Sequence, residues 1–101
     1  MLTIKIDYDR YGHITRETHE RAEAIATQNG VPIGLQFSPG DGRTLEVWWI
    51  EAHWSGRPRA CVLDMSTKRK GWWFVERIVD TLVRVPQTQP SRESVAPGAC
   101  A

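Results

Sequence analysis

Cysteine is almost absent, with only Cys61 and Cys100 in the chain. No disulfide framework can be built from two such positions, so the fold must rest on burial of apolar surface. Cys61, within Arg59-Ala60-Cys61-Val62-Leu63, reads as a small core residue on a strand. Long hydrophobic runs are missing too, and nothing approaches the roughly 20 consecutive apolar residues of a membrane span. The start Met1-Leu2-Thr3-Ile4-Lys5-Ile6-Asp7 carries charges where a signal peptide needs an apolar run, so a cytoplasmic address is the expectation. Nor is there an excess of one charge. Thirteen Lys and Arg against twelve Asp and Glu leave +1, which removes any argument for nucleic acid from net charge alone.

Catalytic signatures are equally sparse. There is no Cys-x-x-Cys pair, no Gly-rich phosphate loop and no Gly-x-Ser-x-Gly elbow. After His19-Glu20 the zinc-protease helix pattern needs a second histidine where Glu23 stands. Asp7 and Asp9, the only close carboxylates, read as a strand end and a turn rather than an acid/base pair. One catalytic grouping could form across neighbouring strands, from His53, Cys61 and Asp64. The expectation is a protein without catalysis, cofactor or metal.

What is present describes one α+β domain. The chain has 101 residues, 41% hydrophobic and 25% charged, close to the globular average and sufficient for a single core. Residues 2–8 alternate Leu2, Ile4, Ile6 and Tyr8 with polar neighbours, the period of a half-buried strand. Residues 15–29 form a helix with a mostly alanine stripe, Ala22, Ile25, Ala26 and Asn29, stopped by Asn29-Gly30. Val31, Ile33, Leu35 and Phe37 alternate again, with Pro32 near the start. Ser38-Pro39-Gly40-Asp41-Gly42-Arg43 then turns the chain into a strand over 44–54, and Ser55-Gly56-Arg57-Pro58 turns it into another over 59–65.

From Ser66 two readings stay open. Phe74, Ile78 and Leu82 at i, i+4, i+8 favour a helix over 72–84. A fifth strand through Trp73, Val75, Arg77 and Val79, with Lys68-Arg69-Lys70-Gly71 as its hairpin loop, is the alternative. Residues 86–101 are Pro-, Ser- and Gln-rich with little to bury and read as a disordered tail behind a domain of 1–85. The expected architecture is an antiparallel sheet of about four strands in the order β-α-β-β-β-α, with both helices on one face.

Two features can carry function. Five tryptophans, Trp48, Trp49, Trp54, Trp72 and Trp73, exceed what so small a core readily hides. On the 44–54 strand, strict alternation puts Glu46, Trp48, Ile50, Ala52 and Trp54 on one face and Leu45, Val47, Trp49, Glu51 and His53 on the other. If helices cover only one face of the sheet, Trp48, Trp54 and Trp72 are candidates to stack on a base or seal an interface. The second feature is Lys68-Arg69-Lys70, joined by Arg57 and Arg59. Residues 1–56 hold five basic and eight acidic side chains, whereas 57–101 hold eight basic and four acidic, so the positive charge gathers in the second half. At the start of a helix near Trp72 these cations would sit with free N–H groups and favour a phosphate.

The order helix, meander, then a second helix opened by Ser66-Thr67-Lys68-Arg69-Lys70 is similar to that of double-stranded-RNA-binding domains over about residues 15–84. That resemblance implies a phosphate contact at the second helix start. The sequence departs from it in its extra N-terminal strand, in Trp72-Trp73-Phe74 after the basic patch, and in an acidic first helix. The closing meander and helix are also similar, in order alone, to the arm-binding domains of phage-type integrases. The expected function is nucleic-acid phosphate binding at Arg57, Arg59, Lys68, Arg69 and Lys70 beside Trp48, Trp54 and Trp72. The alternative is a protein-binding accessory or inhibitor module of the kind mobile elements encode, or a homodimer, using the tryptophan face. No membrane partner is expected.

Overall fold

The computed structural model describes residues 2–87; the expected tail, Cys100 included, lies outside them from residue 88 onward. Two helices and a four-stranded antiparallel sheet make up an α+β fold. The elements are α1 (Arg16–Gln28), β1 (Gln36–Phe37), β2 (Leu45–Ala52), β3 (Pro58–Asp64), β4 (Lys70–Phe74) and α2 (Val75–Arg84), with the strands adjacent in chain order. No described helix is long and apolar enough to cross a membrane.

Helix α1 begins where Thr15 accepts the Thr18 N–H at its hydroxyl and ends in a left-handed turn at Gly30. Val31 N–H returns to the Ala26 carbonyl at 2.8 Å and Gly30 N–H to Thr27, which satisfies carbonyls that the helix end would orphan. Its buried stripe is Thr18, Ala22 and Ala26, small side chains that let the helix lie close to β2. Val75 and Ile78 of α2 pack into the same core with Val31, Phe37, Leu45, Val47, Ile50, Ala52, Ala60 and Val62. The sheet's inner face is therefore Leu45, Val47, Ile50 and Ala52 on β2 and Pro58, Ala60 and Val62 on β3.

The four sheet strands are not the four read from the sequence. Residues 2–6 keep the expected alternation, since Leu2, Ile4 and Ile6 pack on the core, whereas Tyr8 is exposed, and the segment joins no ladder. Their backbone groups are taken up singly: Ile4 N–H by the Gly56 carbonyl, Asp7 N–H by the Thr18 hydroxyl, Leu2 N–H by the Glu76 carboxylate, and Tyr8 by a lone bridge to Ile14. This segment straps the two helix starts together. The 31–37 strand shrinks to Gln36–Phe37 because Pro32 and the positive φ of Gly34 turn the chain. The fourth strand is instead Lys70–Phe74, so both readings of the 70–84 region hold in part: a strand to Phe74, then a helix from Val75.

A candidate binding face on the open side of the sheet

The face away from the helices is built from alternate residues of three strands. Register sets Glu46, Leu63 and Lys70 side by side, then Trp49, Cys61 and Trp72, then Glu51, Arg59 and Phe74. Between Val47 and Trp49 the register slips by one, leaving Trp48 as an extra residue. A bulge of this kind sets two residues against one of the partner strand, and here Trp48 and Trp49 share Cys61. Trp48, Trp49 and Trp72 are consequently 48%, 56% and 50% exposed. Strict alternation assigns Trp48 to the side of Ile50 and Ala52 and Trp49 to the side of Leu45 and Val47, and the bulge overturns both assignments. It also returns Ile50 and Ala52 to the core side.

Charged side chains lie between the indoles. The Lys70 ammonium stands 4.7 Å from the Trp48 ring centre, and the Trp48 N–H donates to the Glu46 carboxylate at 3.3 Å. The Arg59 guanidinium stacks 4.0 Å over Trp72 and makes two hydrogen bonds to the Glu51 carboxylate, at 2.8 and 3.1 Å. Cations on indole faces gain from the ring quadrupole. Cys61 belongs to this half-exposed row rather than to the core.

The basic run does not open a helix. Lys68, Arg69 and Lys70 form the β3–β4 hairpin and its exit, and α2 starts five residues beyond Lys70. The phosphate contact at a helix start that the double-stranded-RNA-binding resemblance implies is therefore not formed by these residues. The hairpin is shaped by Asp64, whose carboxylate accepts from the Ser66 hydroxyl, the Ser66 N–H and the Thr67 N–H at 2.8–3.2 Å. Those bonds, led by the Ser66 hydroxyl, hold the Asp64 pKa below the ordinary carboxylate value. The turn closes with Lys68 N–H on the Asp64 carbonyl and Lys68 at φ +63°, a left-handed conformation unusual for a side-chain-bearing residue. Among the described residues, Lys68, Arg69 and Lys70 make no ion pair. Arg43, which the sequence pattern does not single out, joins Arg69 and Lys70 around one recess at this end of the sheet, on its helix side, where Leu45, Val62 and Trp73 form the wall.

The remaining predicted residues sit at the far end. Trp54 is 73% exposed in the β2–β3 turn, stacked on His53 at 4.8 Å, roughly 25 Å from the basic hairpin by strand rise over eight residues. Arg57 lies 3.9 Å over Phe74 and faces Glu76 at 3.7 Å. Arg57 and Trp54 thus stand apart from Lys68 and Arg69, while Arg59, Trp48, Trp72 and Lys70 share the open face. Trp73 is different again: it meets Phe37 edge-on in the core under Arg77. The catalytic grouping does not assemble, because Cys61 faces outward, Asp64 is committed to its own turn and His53 bonds Ser55. No three His, Cys, Asp or Glu side chains converge among the described residues. Comparison with known proteins finds no matching family model, no matching curated protein and no matching solved structure.

Proposed function

We propose that this chain is a non-catalytic nucleic-acid-binding module whose site is the open sheet face and the basic hairpin at its end. The supporting observation is that three half-exposed indoles share one face that ends at a hairpin whose three cations make no ion pair among the described residues. Lys68, Arg69 and Lys70 take phosphates; Trp48 and Trp72 take the flat faces of bases. A sheet face of exposed aromatics suits unstacked bases, so a single strand is the preferred form. Trp54 and Arg57, at the other end, would meet only a strand long enough to cross the whole sheet.

The test is a tryptophan-fluorescence titration with single-stranded oligonucleotides at several salt concentrations. Binding should quench the indoles and weaken with salt. Lys68→Ala with Arg69→Ala should lower the magnitude of the salt slope by about 1.4, two phosphate contacts at about 0.7 each on a single strand. An unchanged slope in that variant would overturn the reading.

A second reading rests on charge balance within the face itself. Glu46 and Glu51 offset Lys70 and Arg59 there, and Arg59 is already held by Glu51. A near-neutral aromatic face suits a protein surface, and no quenching by any oligonucleotide would leave that reading standing.

A further inference from the structure

The sheet's two sides are finished differently. On the β1 and β2 side, side chains occupy outward backbone groups: the Gln87 carboxamide accepts from Ser38 N–H at 2.7 Å and donates to the Ser38 carbonyl at 3.2 Å, and His19 Nδ1 accepts from Ala52 N–H at 3.1 Å. These contacts close positions where another strand could add. The β4 side has no such cover. Asp64 N–H donates to the Arg69 carbonyl, so by the alternation of an antiparallel ladder Gly71 and Trp73 bond to β3 while Lys70, Trp72 and Phe74 point outward. Among the described residues no group bonds to the outward N–H or carbonyl of Lys70 or Trp72, or to the N–H of Phe74.

We propose that β4 pairs antiparallel with β4 of a second copy, about a twofold axis through Trp72. The outward positions 70, 72 and 74 are symmetric about Trp72, so the strand is its own complement in this register. Trp72 exchanges two hydrogen bonds with Trp72 of the second copy, and each Phe74 N–H donates to the opposing Lys70 carbonyl. On the helix side Gly71 falls opposite Trp73 of the other copy, so that indole meets a hydrogen atom rather than a side chain. On the open side the two Trp72 indoles become cross-strand neighbours, and each Lys70 lies beside an opposing Phe74 ring. Two three-indole faces join into one without being covered. This association needs no nucleic acid, so it stands or falls separately from the binding proposed above.

The experiment combines sedimentation with amide hydrogen exchange on the full chain from low micromolar to millimolar concentration. The expected result is a doubling of mass, with protection of the Trp72 and Phe74 amides rising in step. Trp72→Ala removes the indole and its stack with Arg59, and Trp72→Pro removes the outward N–H as well while keeping the β3 ladder. The proline variant should associate roughly 30-fold more weakly than the alanine variant, two hydrogen bonds at about fivefold each, with the same far-ultraviolet dichroism spectrum as the alanine variant. A wild-type chain that stays monomeric at millimolar concentration would overturn the proposal, whatever the variant does. So would a dimer whose Trp72 and Phe74 amides exchange freely, since it would use another surface. Protection independent of concentration would also overturn it, because an occupant from the same chain protects at every dilution.

Discussion

Replacing Lys68 by glycine should strengthen the fold and weaken phosphate binding, two effects of opposite sign from one substitution. Lys68 occupies φ +63° at the closure of the β3–β4 hairpin. That conformation costs a residue with a Cβ about 1–2 kcal/mol, which glycine does not incur. Glycine in turn gives the unfolded chain more freedom, lowering stability by about 0.4–1 kcal/mol. The balance is a gain of about 0.8 kcal/mol, which for a domain of this length raises Tm by about 3–6 °C. Lys68→Ala is the control, since it removes the same charge but keeps the left-handed strain, and its Tm should stay near that of the wild type. Both variants should lower the magnitude of the oligonucleotide salt slope by about 0.7. Differential scanning calorimetry and salt-dependent titration read the two effects separately. A Tm for Lys68→Gly at or below that of Lys68→Ala would refute the strain argument, whatever the binding data show.

Two further outcomes follow from buried or constrained polar groups. Thr18 is fully buried, and its hydroxyl accepts the Asp7 N–H at 3.1 Å and meets the Thr15 hydroxyl at 2.9 Å. Thr18→Val keeps the shape but strands that amide, so urea unfolding should show a loss of about 1–3 kcal/mol, with the 2–8 strap exchanging its amides faster. Asp64 has a lowered folded-state pKa, so its contribution is complete above the unfolded carboxylate value and is lost as pH falls through the folded one. The wild type should therefore lose stability on acidification below about pH 4, with Asp9 and Asp41, also lowered, contributing to the same limb. Asp64→Asn should be less stable at neutral pH and show a flatter acid limb in urea midpoints measured across the range. An equally steep limb in that variant would show that the Ser66 and Thr67 bonds do not set it.

The parts of the fold written in local chemistry were legible. The Asn29-Gly30 stop and the Ala22, Ile25, Ala26 stripe before it mark α1, and Ile78 with Leu82 marks α2. Alternation along 2–8 identified Leu2, Ile4 and Ile6 as facing the core and erred at Tyr8, which is exposed; it reports burial and not pairing. The same Leu2, Ile4, Ile6 pattern serves a strap held by Gly56, Thr18 and Glu76 as well as it would serve a strand. Which neighbour accepts a backbone hydrogen bond is a tertiary fact. For Val31 to Phe37 the opposing signals were in the sequence, since Pro32 and Gly34 within four residues argue against a continuous strand, and the apolar alternation outweighed them.

The binding face shows the same limit more sharply, because one residue of slippage decides it. With strict period two, Trp48 and Trp49 must lie on opposite sides of the sheet, and one of them must be core. Two adjacent tryptophans between Val47 and Ile50 could have been read otherwise: an apolar pair at i and i+3 on one face requires an extra residue between them. The bulge instead leaves both indoles on the open side while Val47, Ile50 and Ala52 all stay on the core side. Arg43 was missed for a related reason: it reaches the basic hairpin only because Met65 N–H pairs with the Thr44 carbonyl, bringing the entrance of β2 beside the exit of β3. Site residues joined by strand register are invisible to spacing along the chain. The cations contiguous in sequence were found, and the one delivered by the sheet was not.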